Sequence, residues 1–235
     1  MGAKMGSMAY HFLLFAWYTF LVVLMLLIDT DKVPMGIFAY AGLWKYLTFL
    51  NLVSYALSYF TFYSSPAWLV TTDYHGCARM LTSCKDILFS VLAFPVGSFV
   101  VTIFWMIFLY DRELVYTKEM DRIIPSWLNH SLHTIVLPFL LIEIFLQPHV
   151  YPERKHGMAL LGLCSAGYLS WVVWIYITVG AWVYPLLGKL SPLALAVFFA
   201  VSTGLAFSLY VLGEVLNAYT WGKYQKNRTQ TISMS

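Results

Sequence analysis

The chain has 235 residues, of which 60% are hydrophobic and 11% charged, and its net charge is +3. Soluble domains average about 45–50% apolar and about 25% charged residues, and the mean hydropathy here is +0.72. That excludes an ordinary soluble domain, a disordered chain and a coiled coil, and the small, dispersed positive charge excludes a nucleic-acid binder.

A membrane-spanning helix needs about 20 mainly apolar residues. Six segments qualify, at about 8–28, 44–63, 87–110, 123–146, 157–179 and 193–219. The first is closed by Asp29, Thr30 and Asp31. It is too long for a signal-peptide core and no small-x-small cleavage site follows it. The second ends at Ser64, Ser65 and Pro66, the third at Asp111, Arg112 and Glu113, and the fourth at Gln147 and Pro148. The sequence therefore predicts an all-α integral membrane protein. It is one six-helix domain over residues 1–235, a compact bundle with a polar site inside the membrane.

Six spans put both termini on one side. That side carries Lys4, Arg79, Lys85, Arg154, Lys155, Lys223, Lys226 and Arg228; the other carries Lys32, Lys45, Arg112, Lys118, Arg122 and Lys189. The positive-inside rule then favours cytoplasmic termini. The plasma membrane and the endoplasmic reticulum both fit. Cysteines Cys77, Cys84 and Cys164 form no disulfide framework. Trp and Tyr gather near the segment ends, as in an interfacial belt.

Polar groups at membrane depth are costly, so each needs a reason. The fourth segment has the densest set, Asn129-His130-Ser131-Leu132-His133-Thr134. Asn129 and His133 fall about 40° apart on one helical face. Glu143 shares that face about 15 Å further on. Pro138 between them is expected to kink the helix. The second segment repeats Thr48, Asn51, Tyr55 and Tyr59 at helical spacing, with Lys45 one turn before Thr48. The sixth adds Tyr210, Glu214 and Asn217.

Segments two and four both enter from the side away from the termini. Thr48 then lies roughly 6 Å inside its helix and His133 about 15 Å inside. Both belong to the same half of the bilayer, while Glu143, Glu214 and Asn217 belong to the other. A hydroxyl and an imidazole about 3 Å apart make a nucleophile and its base. Asn129 then orients the imidazole, Asn51 is an oxyanion donor, and Lys45 attracts a substrate carboxylate. Blander roles stand beside these. A buried Thr commonly packs helices, a Lys near an interface commonly snorkels, and buried Glu commonly satisfies interhelical hydrogen bonds or pairs with loop cations such as Arg79 or Lys155. A metal is not expected. His130 and His133 lack a third ligand at their depth, and His11, His75, His149 and His156 sit at ends or in loops. No cofactor motif is present.

Several strings occur together and in order: Trp44-Lys45-Tyr46-Leu47-Thr48, Ala93-Phe94-Pro95-Val96, Tyr110-Asp111-Arg112-Glu113, Trp127-Leu128-Asn129-His130-Ser131-Leu132-His133-Thr134, Trp182-Val183-Tyr184-Pro185 and Leu212-Gly213-Glu214-Val215-Leu216-Asn217. With this set, nearly the whole chain resembles the androgen-induced protein family of six-pass membrane threonine hydrolases. Tyr10-His11-Phe12-Leu13 and Pro148-His149-Val150-Tyr151-Pro152 look closer to the branch that regulates tissue factor pathway inhibitor.

The resemblance implies an ester hydrolase acting on fatty acid esters of hydroxy fatty acids. It makes Thr48 the nucleophile and His133 the essential histidine, with no cofactor, a lipid substrate and a link to that inhibitor. Two other classes stay open. One is a membrane scaffold or lipid sensor without activity. The other is a proton-coupled transporter using Glu143 and Glu214, which Glu143→Gln would inactivate while only weakening a hydrolase. Transport and hydrolysis assays of that variant separate the two.

Overall fold

The structure is a computed structural model. It describes residues 2–28, 40–64 and 83–233, with side chains over 6–28, 40–61 and 83–222. Lys32, His75, Cys77 and Arg79 lie outside the described residues, and Lys4, Lys223, Lys226 and Arg228 outside the described side chains. Helix α1 is Gly2–Leu26. A 3-10 turn, Gly42–Lys45, leads into α2, Leu47–Ser64. A π-helical turn, Leu88–Ala93, leads into α3, Phe94–Asp111. Then come α4, Ser126–His133; α5, Val136–Leu146; α6, Arg154–Val179; the short α7, Pro185–Lys189; and α8, Pro192–Ser233. No strand occurs among the described residues.

Five helices are long and apolar enough to cross a membrane, at Gly6–Leu26, Ser83–Leu114, Ser126–Leu146, Arg154–Val179 and Pro192–Gly222. The remaining predicted span, the second, corresponds to α2, which does not reach that standard among the described residues. Its side chains are described only as far as residue 61, and it carries a polar stripe of Asn51, Ser54, Tyr55, Ser58 and Tyr59. It is nevertheless central. It packs along α1 on one side and against α3 on the other.

Helix α3 is the hub, touching α2, α4, α5 and α8, while α6 lies against α8 and the π-helical turn. Apolar side chains face outward on the flanking helices. Leu163 is 71% exposed, Ile177 70%, Val201 65% and Leu193 76%. An outward apolar face over several helices is what a lipid solvent requires.

Two prolines explain the irregular backbone. Pro95 has no N–H for the carbonyl four residues back, and a π-helical turn sits immediately upstream, with Phe94 N–H donating to Phe89 O. Pro138 likewise leaves Thr134 O without its helical donor. The predicted single fourth helix is accordingly two, parted at Thr134 and Ile135. The start also moves from residue 123 to Ser126, because Pro125 stands as the N-cap.

Close approach is built in at Gly97. A Cβ there would run into the Tyr55 hydroxyl and Leu140. Only a glycine lets α2, α3 and α5 meet at that level.

Candidate active site

Thr48 sits in the first turn of α2, where the 3-10 turn hands over to the α-helix. His133 is the last residue of α4. The helix break beyond it leaves its carbonyl to accept a bond from Trp105 Nε1, at 2.8 Å. Its imidazole stacks on the Phe104 ring with centroids 3.6 Å apart and planes 8° from parallel. Backbone and ring are therefore both pinned by α3.

His133 Nδ1 lies 2.9 Å from Asn129 Oδ1 and 3.2 Å from the Asn129 carbonyl. A backbone carbonyl can only accept, so Nδ1 carries the proton. Nε2 is then an acceptor in the neutral ring, and Thr48 Oγ1 is 3.2 Å from it. The hydroxyl thus donates to Nε2, which is the arrangement of a nucleophile, its base and the base's orienting group.

His130 does not join this line. It faces outward, with Nδ1 2.9 Å from its neighbour Thr134 Oγ1 and its ring stacked on Trp105. Helical spacing singles out His133 because Asn129 lies one turn earlier on its face, and the family motif points to the same imidazole.

Thr48 lies on the walls of two cavities. The larger, about 320 Å3, is lined by α2, α3, α6, α7 and α8 and by no charged side chain. The smaller, about 70 Å3, is lined by His133 as well as Thr48, under Tyr116, Met120 and Ile124 of the α3–α4 loop. Phe104, Val115 and Tyr184 border both.

Asn51 lines the larger cavity, and its amide donates to Tyr55 Oη at 2.8 Å. Lys45 is not brought to this site. Its side chain is buried with Nζ 5.5 Å from the Tyr46 ring, and it lines neither cavity. The 3-10 turn places residue 45 away from the face that carries Thr48 and Asn51.

Two phenols were missed by sequence reasoning, which put Tyr184 in the aromatic belt and did not single out Tyr168. Tyr168 and Tyr184 hydroxyls are each 3.1 Å from Leu47 N, the amide just before Thr48. Tyr168 donates to Lys45 O at 3.1 Å, so its proton is committed to backbone. That leaves the Tyr184 hydroxyl as the donor between the two phenols, which are 3.1 Å apart. Burial holds the Tyr184 phenol above its ordinary range, so it stays protonated. The loop string Trp182-Val183-Tyr184-Pro185 was the available signal, but it does not say where the phenol points.

A second polar cluster lies at the other end of the bundle. Glu143 is fully buried between His11 Nε2, at 3.0 Å, and His149 Nε2, at 3.6 Å. His149 Nδ1 is 3.4 Å from Asp86, and its backbone is held by Asn217 through bonds of 3.0 and 2.8 Å. Of the partners expected for Glu143, interhelical hydrogen bonds or loop cations, the structure gives the first, through His11 of α1. His11 and His149, expected at ends or in loops, are both buried, and the turn after α5 folds residue 149 back under the bundle. Glu214 does pair with a loop cation, Arg154, at 2.8 Å. No group of metal-ligating side chains occurs among the described residues.

A family model described as FAR-17a/AIG1-like protein matches residues 6–218. The chain is 42% identical over 225 residues to the human "Androgen-dependent TFPI-regulating protein", covering 96% of this chain and 97% of that one. It is 44% identical over 188 residues to the human "Androgen-induced gene 1 protein", covering 77% and 79%. A fission yeast protein, "UPF0641 membrane protein PJ4664.05", is 26% identical over 140 residues, or 59% and 62% of the two chains. No solved structure matches. A match over most of the chain, on an all-helical frame with apolar outer faces, makes this a multi-pass membrane protein that belongs to the FAR-17a/AIG1-like family.

Proposed function

We propose that the protein is an intramembrane lipid esterase that hydrolyses fatty acid esters of hydroxy fatty acids. Thr48 is the nucleophile and His133 its base. The observation that carries this reading is the chain of contacts from Asn129 through His133 to Thr48, opening on an uncharged cavity of about 320 Å3. An amphiphile held by apolar walls around a few polar groups suits such a cavity.

His133 Nε2 takes the Thr48 proton as Oγ1 adds to the ester carbonyl. The carbon–oxygen bond to the alcohol breaks, and the departing oxygen takes the proton from Nε2. An acyl-threonine remains. His133 then takes a proton from water, hydroxide adds to the acyl carbon, and Thr48 is released with its proton restored. Asn129 keeps Nδ1 protonated throughout, which keeps Nε2 available. No cofactor or metal enters these steps.

The oxyanion needs donors near Thr48. Tyr184, whose proton rests on the Tyr168 hydroxyl and turns to the oxyanion from its place on both cavity walls, serves as one, and Asn51 as a second. Tyr184→Phe is expected to lower kcat about 10²–10³-fold, the usual cost of one oxyanion donor. KM should change little. Steady-state kinetics on purified enzyme checks this, and an unchanged kcat removes Tyr184 from the mechanism.

The role named for the human relative, regulation of tissue factor pathway inhibitor, is proposed here on the 42% identity. So are cytoplasmic termini and residence in the plasma membrane or endoplasmic reticulum. The test of the reading is release of free fatty acid and hydroxy fatty acid from such an ester by the purified protein. No release above the lipid blank favours the scaffold or lipid-sensor reading instead.

A further inference from the structure

The two cavities that meet at Thr48 are not equivalent, because His133 lines only the smaller. During the reaction the acyl group stays bonded to Thr48 Oγ1. The alcohol oxygen leaves with a proton from His133 Nε2, and water later gives a proton to the same atom. Leaving group and water must therefore sit on the His133 side, and the acyl chain must lie on the other. We infer that the large cavity is the acyl-chain tunnel and that α8 sets the length it accepts. This inference rests on the hydrolase reading above and assigns the two halves of its substrate.

The tunnel has a mouth and a floor. At the mouth, Phe104 stacks on His133, and Tyr168 bonds the backbone beside Thr48. Leu92 lines the far end, twelve residues before Phe104 on the same helical run, which is about 18 Å along the axis. Leu161 and Ala206 line the tunnel there too, and both belong to one packed cluster with Val91 and Tyr210. That cluster closes the floor, for Leu161, Val91 and Tyr210 are fully buried. A depth of this size fits a long-chain acyl group running along the membrane normal.

The alcohol side is different. At about 70 Å3 the smaller chamber holds the reacting oxygen and a water, not a whole chain. The rest of the hydroxy acid extends past the loop residues Tyr116 and Met120. Acyl length is thus gauged against a protein floor, and alcohol length is not.

Ala206 and Ser202 both line the tunnel one helical turn apart on α8. Ser202 is the nearer to the mouth, by about 6 Å. Bulky side chains at the two positions should cut the tunnel at two depths. The experiment compares two ester series in micelles, one varying the acyl chain and one varying the hydroxy acid. Ala206→Phe is expected to lower the long-to-short acyl ratio of kcat/KM at least tenfold. Ser202→Phe should move the cutoff to shorter chains still, and the hydroxy-acid profile should be unchanged in both.

A shift in the hydroxy-acid profile would reverse the assignment. No shift in either profile, from variants that elute and melt like the wild type, would remove the tunnel from substrate binding. Should one variant not fold, the other still reads the cutoff. The wild type adds its own test, since its rate must fall once the acyl chain outgrows the tunnel. The hydrolase reading fails separately, if the wild type is inactive or Thr48→Ala retains its rate.

Discussion

Thr48→Ala is expected to remove ester hydrolysis by about four orders of magnitude or more, because no acyl-enzyme can form without Oγ1. The fold should survive. The hydroxyl contributes one hydrogen bond, to His133 at 3.2 Å, worth about 1 kcal/mol. The alanine keeps the helix-start geometry of α2. Thr48→Ser keeps the hydroxyl without the methyl, and part of the activity should persist. Product release from purified variants, beside their melting temperatures, checks both. Full activity in Thr48→Ala would mean that the 3.2 Å contact is structural.

The second large effect is expected at His133. Loss of a positioned general base costs about 10²–10⁴-fold. His133→Ala also removes the ring that stacks on Phe104 at 3.6 Å. A buried aromatic-sized truncation of that kind costs several kcal/mol. His133→Gln is therefore the better variant. It fills most of the space and can still bond Asn129, but it cannot take the Thr48 proton. Its turnover should fall as far as that of a folded His133→Ala protein. Equal stability with wild-type turnover would remove His133 from the chemistry.

Much of this site was legible in the sequence, and for a physical reason. Helical periodicity fixes which side chains share a face, and helix direction fixes depth. Those two rules put Asn129 and His133 one turn apart and put Thr48 in the same half of the membrane. They also put Glu143 at the other end. The break in the fourth span was legible only roughly. Pro138 announced a kink, but it strips the bond from the carbonyl four residues earlier, so the break falls at Thr134.

Other features depend on contacts that no single helix encodes. Tyr184 reads as one more interfacial aromatic until a loop folds it back to Leu47 N. His149 reads as a loop residue until Asn217 and Glu143 enclose it. Lys45 has the right spacing from Thr48 on an ideal helix. The chain there is a 3-10 turn, so that spacing does not carry over. The substrate class came from the family resemblance, since apolar walls specify a lipid and not which lipid.

Hydrolysis through Thr48 passes through a covalent acyl group on its Oγ1, and that group can be seen directly. Purified protein is quenched in acid during turnover of a long-chain ester, digested and examined by mass spectrometry. An acyl adduct is expected on the peptide bearing Thr48, accumulating when deacylation is slowed and absent from Thr48→Ala. Rapid turnover with no adduct, or an adduct on another residue that persists in Thr48→Ala, would contradict it.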